Sequence, residues 1–288
     1  MDFFQGARPI PTPKGGTMNP PEPGKGFYAG KACAWPPRPP PKPENVRQIT
    51  PVEMRSWIIY EDERLLVVNK PGDVVCHPSK AGPWSSLVGA AREYTALPTM
   101  HLVFRLDRET SGVVVLTKDS AMAGRLQTAM QKRKVGKEYQ AILTGELRDA
   151  VTVDQPLGDD VSSPVYVKTT VRPDGLAAKT HFTPLKTANG FTLAKVVTES
   201  GRKHQIRAHA LWLGHRLVGD KIYGPDDRLY LEFIDHGWSV AMADKLLLPR
   251  QALHCASIDL TIAGAPEVFR APLAADMQDF CVSHGLTM

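Results

Sequence analysis

The residues best suited to chemistry lie in segment 104–112, where an aspartate stands between two arginines. Asp107 follows Arg105 and precedes Arg108, and the chain continues through a Thr-Ser-Gly turn into the apolar run 113–116. Ser and Gly mark a turn, and an unbroken apolar run predicts a buried strand. The sequence therefore predicts a carboxylate at a strand edge, where nearby cations keep it ionised.

This carboxylate has two interpretations. Asp ahead of a turn commonly accepts hydrogen bonds from amides two or three residues further on, which here belong to Glu109 and Thr110. The alternative is a catalytic carboxylate in a cleft. The local pattern does not separate the two, so a second segment is needed.

A second basic segment, residues 199–209, contains candidate partners for Asp107. A helix that begins near His204 places Lys203 and Arg207 on one face, so Arg207 can project into a cleft. An arginine within about 4 to 6 Å of a carboxylate favours the ionised form, and its planar fork fixes the geometry. The alternative is a surface cation on an amphipathic helix.

Tyr139 is a candidate aromatic platform at the start of a predicted strand, just after the basic end of a helix. It either packs in the core or at a strand edge, or it stacks on a nucleobase. Stacking of a base on an aromatic ring contributes roughly 1 to 3 kcal/mol and leaves the phenol free for hydrogen bonding.

Metal and nucleotide cofactors are not predicted. His204, His209 and His215 are separated by five and six residues, which does not place three zinc ligands on one helix face. The glycine-rich phosphate loops of nucleotide-binding proteins are absent. We therefore expect chemistry without a cofactor.

Composition limits the class of protein. The chain has 288 residues and is 42% hydrophobic, enough for a large core in one extended domain or two small ones. No run approaches the roughly 18 apolar residues that span a bilayer, and the start lacks the features of a secretion signal. The four cysteines are widely spaced, which predicts reduced thiols. We expect a soluble, cytoplasmic protein.

The net charge of +5 is concentrated in the first fifty residues. They contain 7 Lys/Arg and 3 Asp/Glu, leaving 28 basic and 27 acidic residues in the rest of the chain. Global charge alone therefore does not identify a nucleic-acid binder. Because prolines crowd this region, we predict that residues 1–50 form a basic tail that is extended or disordered. A solvated extension is favoured over an RNA-gripping arm.

The elements that position the candidate residues are mainly strands. Strands are predicted at 57–60, 65–70, 113–116, 139–143, 165–171, 179–184, 191–197 and 253–262, and helices at 87–94, 120–134, 205–213 and 274–282, with a partly helical stretch at 226–250. Ser120 is the predicted N-cap of its helix. Strands outnumber helices and do not alternate strictly with them, which predicts an α+β fold with a mainly antiparallel sheet and flanking helices.

Taken together, these segments resemble the RluA-type family of RNA pseudouridine synthases. The match runs from about residue 57 to 262 and consists of separate motifs in the family's order. They lie at 60–62 with 69–72 and 77–78, at 105–107 with 110–112, at 137–139, at 201–202 with 204–207 and 209, at 219–220 with 223–224, and at 253–254. An ordered set of six motifs is a specific signal.

The resemblance implies that residues 51–288 form a pseudouridine synthase-like catalytic domain with a central cleft. The implied reaction detaches a flipped-out uracil at nitrogen 1 and rejoins it through carbon 5, in structured rRNA or tRNA. Asp107 is then the nucleophile and Arg207 its partner. Tyr139 stacks on the uracil and is a candidate for removing the proton from carbon 5. No cofactor is required, and a monomer is expected.

Further motif positions are implied contacts to the substrate. Ile206 and Leu253 would form apolar walls around the base, and Arg105 would help displace or replace the flipped nucleotide. Arg202 and His204 are expected to contact the RNA as well.

Two departures from the family are visible. The family usually has histidine before the Arg-Leu-Asp motif, whereas this chain has Phe104, with the nearest preceding histidine at His101. Many members also carry a small helical RNA-binding domain ahead of the catalytic body. The first fifty residues are too short and too rich in proline for one, so target selection is expected to depend on the body and the tail.

Two other functions compete with this interpretation. One is a catalytically silent RNA chaperone that works by binding alone. The other is an N-glycosidase that uses Asp107 together with Asp220 and leaves an abasic site.

Overall fold

The structure is a computed structural model that describes residues 47–77, 82–261 and 268–287. Most of the predicted tail, residues 1–46, therefore lies outside the described residues. Residues 47–50 pack against the body, because Ile49 is buried and its amide donates to the carbonyl of Trp84.

The described part of the chain contains twelve strands and seven α-helices. The strands are β1 Ile58–Glu61, β2 Leu65–Lys70, β3 His101–Leu102, β4 Ser111–Thr117, β5 Gly136–Thr144, β6 Val151–Asp154, β7 Leu157–Asp159, β8 Thr169–Val171, β9 Lys179–Ala188, β10 Phe191–Thr198, β11 Leu253–Asp259 and β12 Val268–Arg270. The helices are α1 Pro51–Ser56, α2 Leu87–Thr95, α3 Ser120–Gln131, α4 Gln205–Trp212, α5 Arg228–His236, α6 Val240–Leu246 and α7 Ala275–Ser283.

Ten strands form one mixed sheet. The order is β1-β2-β4-β11-β5-β10-β9-β6, with β3 beside β4 and β12 beside β11, while β7 and β8 form a separate pair. Neighbours in this sheet are antiparallel except β4 and β11, which run parallel. The predicted α+β class, with a mainly antiparallel sheet and flanking helices, is confirmed.

Gly112 allows β4 and β11 to approach closely just after the Asp107 loop. Its φ is +110°, and a Cβ at this position would lie 2.2 Å from the backbone oxygen of Cys255. A side chain is therefore excluded by both conformation and space. The strand that follows is buried along its whole length, as its continuous apolar run predicts.

Two local predictions were wrong. The N-cap of α3 is Asp119, whose extended backbone lets its side chain accept from the Met122 amide, so Ser120 is already the first helical residue. The strand predicted at 165–171 is reduced to β8, because the Lys168 amide closes a turn on the carbonyl of Val165.

The longest described helix, α3, has 12 residues. None of the described helices is long and apolar enough to cross a membrane.

Candidate active site

One cleft of about 650 Å³ brings the predicted site residues together. It is bordered by the loop before β4, the start of β5, the loop ahead of α4 with the first turn of that helix, and the start of β11. All eight predicted positions line it: Arg105, Asp107, Tyr139, Arg202, His204, Ile206, Arg207 and Leu253.

The central contact joins Asp107 to Arg207. Nη1 of Arg207 donates to Oδ2 of Asp107 at 2.9 Å. The arginine side chain is only 5% exposed, whereas that of Asp107 is 37% exposed and faces the cleft. The predicted pairing is therefore present, with the carboxylate accessible and its partner buried.

Asp220 holds the other edge of the Arg207 guanidinium. Nε and Nη2 of Arg207 donate to the two oxygens of Asp220 at 2.7 and 2.8 Å, a bidentate pair. Oδ1 of Asp220 also accepts from the amides of Ile222 and Tyr223. Because Asp220 is fully buried and both its oxygens are engaged, it fixes Arg207 and is not a second carboxylate facing the cleft.

The surroundings of Asp107 favour its ionised form. Burial by itself raises the pKa of this carboxyl, but the charge of Arg207 and hydrogen bonds from Arg207 and Gln251 outweigh it, so the pKa lies below its usual value. The Thr110 amide donates to the backbone oxygen of Asp107, at 3.2 Å. The backbone thus forms the turn, while the side chain accepts from Arg207 and Gln251.

His204 borders the same carboxylate as a neutral ring. Burial, followed by the charge of Arg207, lowers the pKa of His204 to about 4. The Tyr223 hydroxyl accepts from the Thr169 amide at 2.8 Å and lies 3.0 Å from Nδ1 of His204. The phenol can then donate its hydrogen to Nδ1, which assigns the ring hydrogen to Nε2, 3.9 Å from Asp107.

Tyr139 extends from β5 at a position opposite Val196 of β10 and Cys255 of β11. It is 7% exposed and contributes to the cleft lining. Burial, with additional effects of Cys255 and Asp107, raises the pKa of this phenol well above its usual value. The free protein therefore holds Tyr139 protonated.

The other predicted contacts differ in character. Ile206 and Leu253 are 6% and 5% exposed and form buried apolar parts of the lining. Arg105 is exposed beside His77 at the rim. Nε of Arg202 donates to the backbone oxygen of Ala177 at 3.1 Å.

The comparisons with known proteins identify the family. A family model described as RNA pseudouridylate synthase matches residues 64–212. The ribosomal large subunit pseudouridine synthase D of Escherichia coli (strain K12) is 32% identical over 241 residues, covering 81% of this chain and 72% of that protein. The protein of the same name from Vibrio vulnificus (strain CMCP6) is 35% identical over 227 residues, covering 76% and 68%. The chain belongs to the RNA pseudouridylate synthase family.

The resemblance stated from the motifs is thus confirmed, and the protein is an RNA pseudouridine synthase, an isomerase. Two solved human structures share the fold. Human RNA Pseudouridylate Synthase Domain Containing 4 has a TM-score of 0.63 at 23% identity, covering 81% of this chain and 95% of that chain. Human RNA Pseudouridylate Synthase Domain Containing 1 has a TM-score of 0.59 at 21% identity, covering 87% and 98%.

Three lysine and arginine side chains that sequence reasoning did not assign hold the Asp107 loop of the synthase. Lys70 is buried and donates to the backbone oxygens of Pro71, Val74 and Arg108. Lys221 donates to the carboxylate of Glu109, and Arg250 donates to the backbone oxygen of the same residue. Lys70 lies in one of the recognised motifs, whereas nothing in the sequence connects Arg250 with this loop.

A further motif residue, Gln205, stabilises the loop that precedes α4. Nε2 of the Gln205 side chain donates to the backbone oxygen of Lys179 and to the Thr180 hydroxyl. Its Oε1 accepts from the Ser200 hydroxyl and from the Arg202 backbone amide. This motif glutamine therefore joins the loop to β9.

The histidines considered as zinc ligands are separately engaged. His209 is buried between Thr180 and the backbone of Gln155, and His215 lies against the backbone of Thr144. Across the described ranges, no group of three or more His, Cys, Asp or Glu side chains forms a metal site.

Phe104 lies at the rim of the synthase cleft as a half-buried ring. The Nζ of Lys137 stands 6.0 Å from its centroid. His101 belongs to β3, opposite Thr117, and is not part of the lining. It therefore does not stand in for a histidine at position 104.

Proposed function

We propose that this synthase converts specific uridines of large-subunit ribosomal RNA to pseudouridine, with Asp107 as nucleophile. The observation that carries the proposal is the 2.9 Å contact between Arg207 and the accessible carboxylate of Asp107, within a cleft that also contains Tyr139. The names of the curated relatives support large-subunit rRNA as the target.

The first step breaks the bond between nitrogen 1 of uracil and carbon 1′ of the ribose. As that bond lengthens, positive character develops at carbon 1′, and the ionised Asp107 stabilises it and then bonds to it. Uracil leaves with the electron pair of the broken bond. Arg207 supports this step because it fixes the carboxylate while keeping it ionised.

The second step rejoins the base through a different atom. The detached uracil turns so that carbon 5 attacks carbon 1′, and the bond to Asp107 breaks with return of its electron pair. Loss of the proton from carbon 5 and protonation of nitrogen 1 complete the isomerisation, with no net change in atoms. Because Tyr139 is protonated in the free enzyme, it can accept that proton only after giving up its own.

The target nucleotide must leave its helix or loop before this chemistry begins. Extruding a base costs a few kcal/mol, and contacts within the cleft offset part of it. Ile206 and Leu253 provide buried apolar surface for the uracil, and the exposed Arg105 at the rim is suited to take the position of the displaced base.

The target is tested by mapping pseudouridines in cells with and without this protein. Carbodiimide modification blocks primer extension at pseudouridine, so a stop in large-subunit rRNA should disappear when the protein is absent. A site lost from tRNA would replace rRNA as the target. Unchanged maps of both RNAs would contradict the proposal.

The competing functions are separated by the products. Isomerisation releases tritium from RNA labelled at carbon 5 of uridine and leaves the strand resistant to aniline. A silent chaperone would release no tritium. An N-glycosidase would leave abasic sites that aniline cleaves, but the proposed second carboxylate, Asp220, is fully buried behind Arg207.

A further inference from the structure

Lys137 occupies a position in the cleft that the reaction steps above leave without a role. It lies on β5 two residues before Tyr139, so the two side chains extend from the same face of the strand about 7 Å apart. Both line the cleft. The lysine is therefore a neighbour of the uracil position but stands closer to the rim.

The Lys137 ammonium lies beside Gly201 and Phe104 of the cleft lining. A Cβ placed on Gly201 would lie 3.6 Å from Nζ, an ordinary contact distance, so any larger side chain there would fill space beside the ammonium. On another side, the Phe104 ring lies 6.0 Å from Nζ and supports it as an aromatic face supports a cation. Because residue 201 is glycine, no side chain from this position covers the ammonium.

Two other cations of the lining already have acidic partners. Arg207 pairs with Asp107 and Asp220, and Lys203 pairs with Asp159 at 2.7 Å. For Lys137, no carboxylate within the described ranges lies at ion-pair distance, and burial lowers the pKa of its ammonium. A half-buried cation without an anion is unfavourable in the free enzyme, and an anionic ligand removes that penalty.

We propose that Lys137 binds a backbone phosphate of the RNA immediately next to the flipped uridine. This inference rests on the proposed function, since it takes the uracil to lie against Tyr139. A nucleotide attached to that uracil carries its phosphate toward the rim, where the ammonium acts as a point charge for it. The phosphodiester is thus held by Lys137 while Phe104 packs under the lysine.

The salt dependence of RNA binding tests this role. The RNA is the fragment that carries the uridine identified by mapping, so an rRNA or a tRNA target serves equally. Lys137→Met keeps an apolar stem but removes the charge. It should reduce the slope of log affinity against log salt by about 0.7 to 0.9, the value for one phosphate contact. Lys137→Arg should preserve the slope.

Lys186→Met is the matched control. Lys186 is an exposed lysine on β9, opposite Leu193 of β10. The cleft lies at the other end of β10, where Thr198 contributes to the lining, so Lys186 is remote from it. Its substitution should leave the slope unchanged. A wild-type slope in Lys137→Met, with normal thermal unfolding, would overturn the proposal.

Uncharged linkages locate the phosphate. One methylphosphonate at a time replaces the phosphates around the target uridine, and affinity is measured with wild type and with Lys137→Met. At one position next to the uridine, the substitution should cost wild type about threefold more affinity at 50 mM salt than at 200 mM, whereas its cost to the variant should be the same at both salt concentrations. Equal losses in both proteins at every position would overturn the assignment. If wild type fails to release tritium from the unmodified RNA, the proposed function fails instead.

Discussion

Nη1 of Arg207 lies 2.9 Å from Oδ2 of Asp107, although the two residues are 100 positions apart in the sequence. The contact is fixed from behind, because the remaining donors of the guanidinium bind the buried Asp220. Asp107 can therefore be accessible to substrate without being free to reorient. A rigid arginine between one buried and one accessible carboxylate prepares the site before RNA arrives.

Removing the nucleophilic oxygen of Asp107 should abolish conversion without abolishing binding. Asp107→Asn keeps the size of the side chain but not its charge, and tritium release should fall by at least about 10⁴-fold, as when an essential nucleophile is lost. RNA affinity should stay close to wild type. Asp174→Asn is the control, since that carboxylate is 68% exposed and pairs with Arg172. Normal turnover by Asp107→Asn would contradict the assignment.

Asp220 should matter for both stability and rate. Asp220→Asn breaks a buried ion pair, and we expect the free energy of unfolding to fall by about 3 kcal/mol or more. Single-turnover conversion should slow as well, because Arg207 loses its fixed orientation. Asp159→Asn breaks an exposed pair with Lys203 and should cost at most about 1 kcal/mol. Urea unfolding measures both changes. Equal decreases in the free energy of unfolding for the two variants would contradict this prediction.

The pH dependence should have no transition near neutrality. Because its pKa is lowered, Asp107 is ionised above its usual titration range and loses its charge only as the pH falls through that lowered value. His204, with a pKa of about 4, is neutral from about pH 5 upward. The kcat/KM for RNA should therefore be flat between about pH 5 and 7. A limb near pH 6.5 that disappears in His204→Gln would show that this histidine titrates instead.

A methyl group at Gly112 should destabilise the join between β4 and β11. Gly112→Ala forces a Cβ against the Cys255 backbone at a positive φ, so we expect a loss of about 2 kcal/mol or more. Gly124→Ala is the matched control within α3, where a Cβ meets nothing within 4 Å. It should stabilise the protein by about 0.5 to 1 kcal/mol. Thermal unfolding of the two variants should shift in opposite directions.

Local patterns were sufficient for much of the fold. The apolar run after Asp107 predicted a buried strand, and the helix beginning near His204 is present as α4. The predicted strand 165–171 was too long, because the residue types in 165–168 match a strand pattern. The turn there is closed by a hydrogen bond between backbone groups of Val165 and Lys168, which side-chain types do not reveal.

The site was predicted only where a motif marks it. Asp107, Tyr139 and Arg207 belong to motifs, and they meet in one cleft. The contact of Gln251 with Asp107 spans 144 positions, and no periodicity along the chain reports such a distance. Arg250 was missed for the same reason, since it reaches the Glu109 backbone across 141 positions.

The position of β11 affects how a nascent chain acquires its activity. This strand begins at Leu253, more than 100 residues after β5 ends, yet it lies between β4 and β5 in the middle of the sheet. Because the N-terminal part is synthesised first, the edges of β4 and β5 that pair with β11 remain unpaired until β11 has been made. Unpaired strand edges can template aggregation. Asp107 and Tyr139 flank that gap, so β11 must be synthesised before a synthase molecule can act on its first uridine.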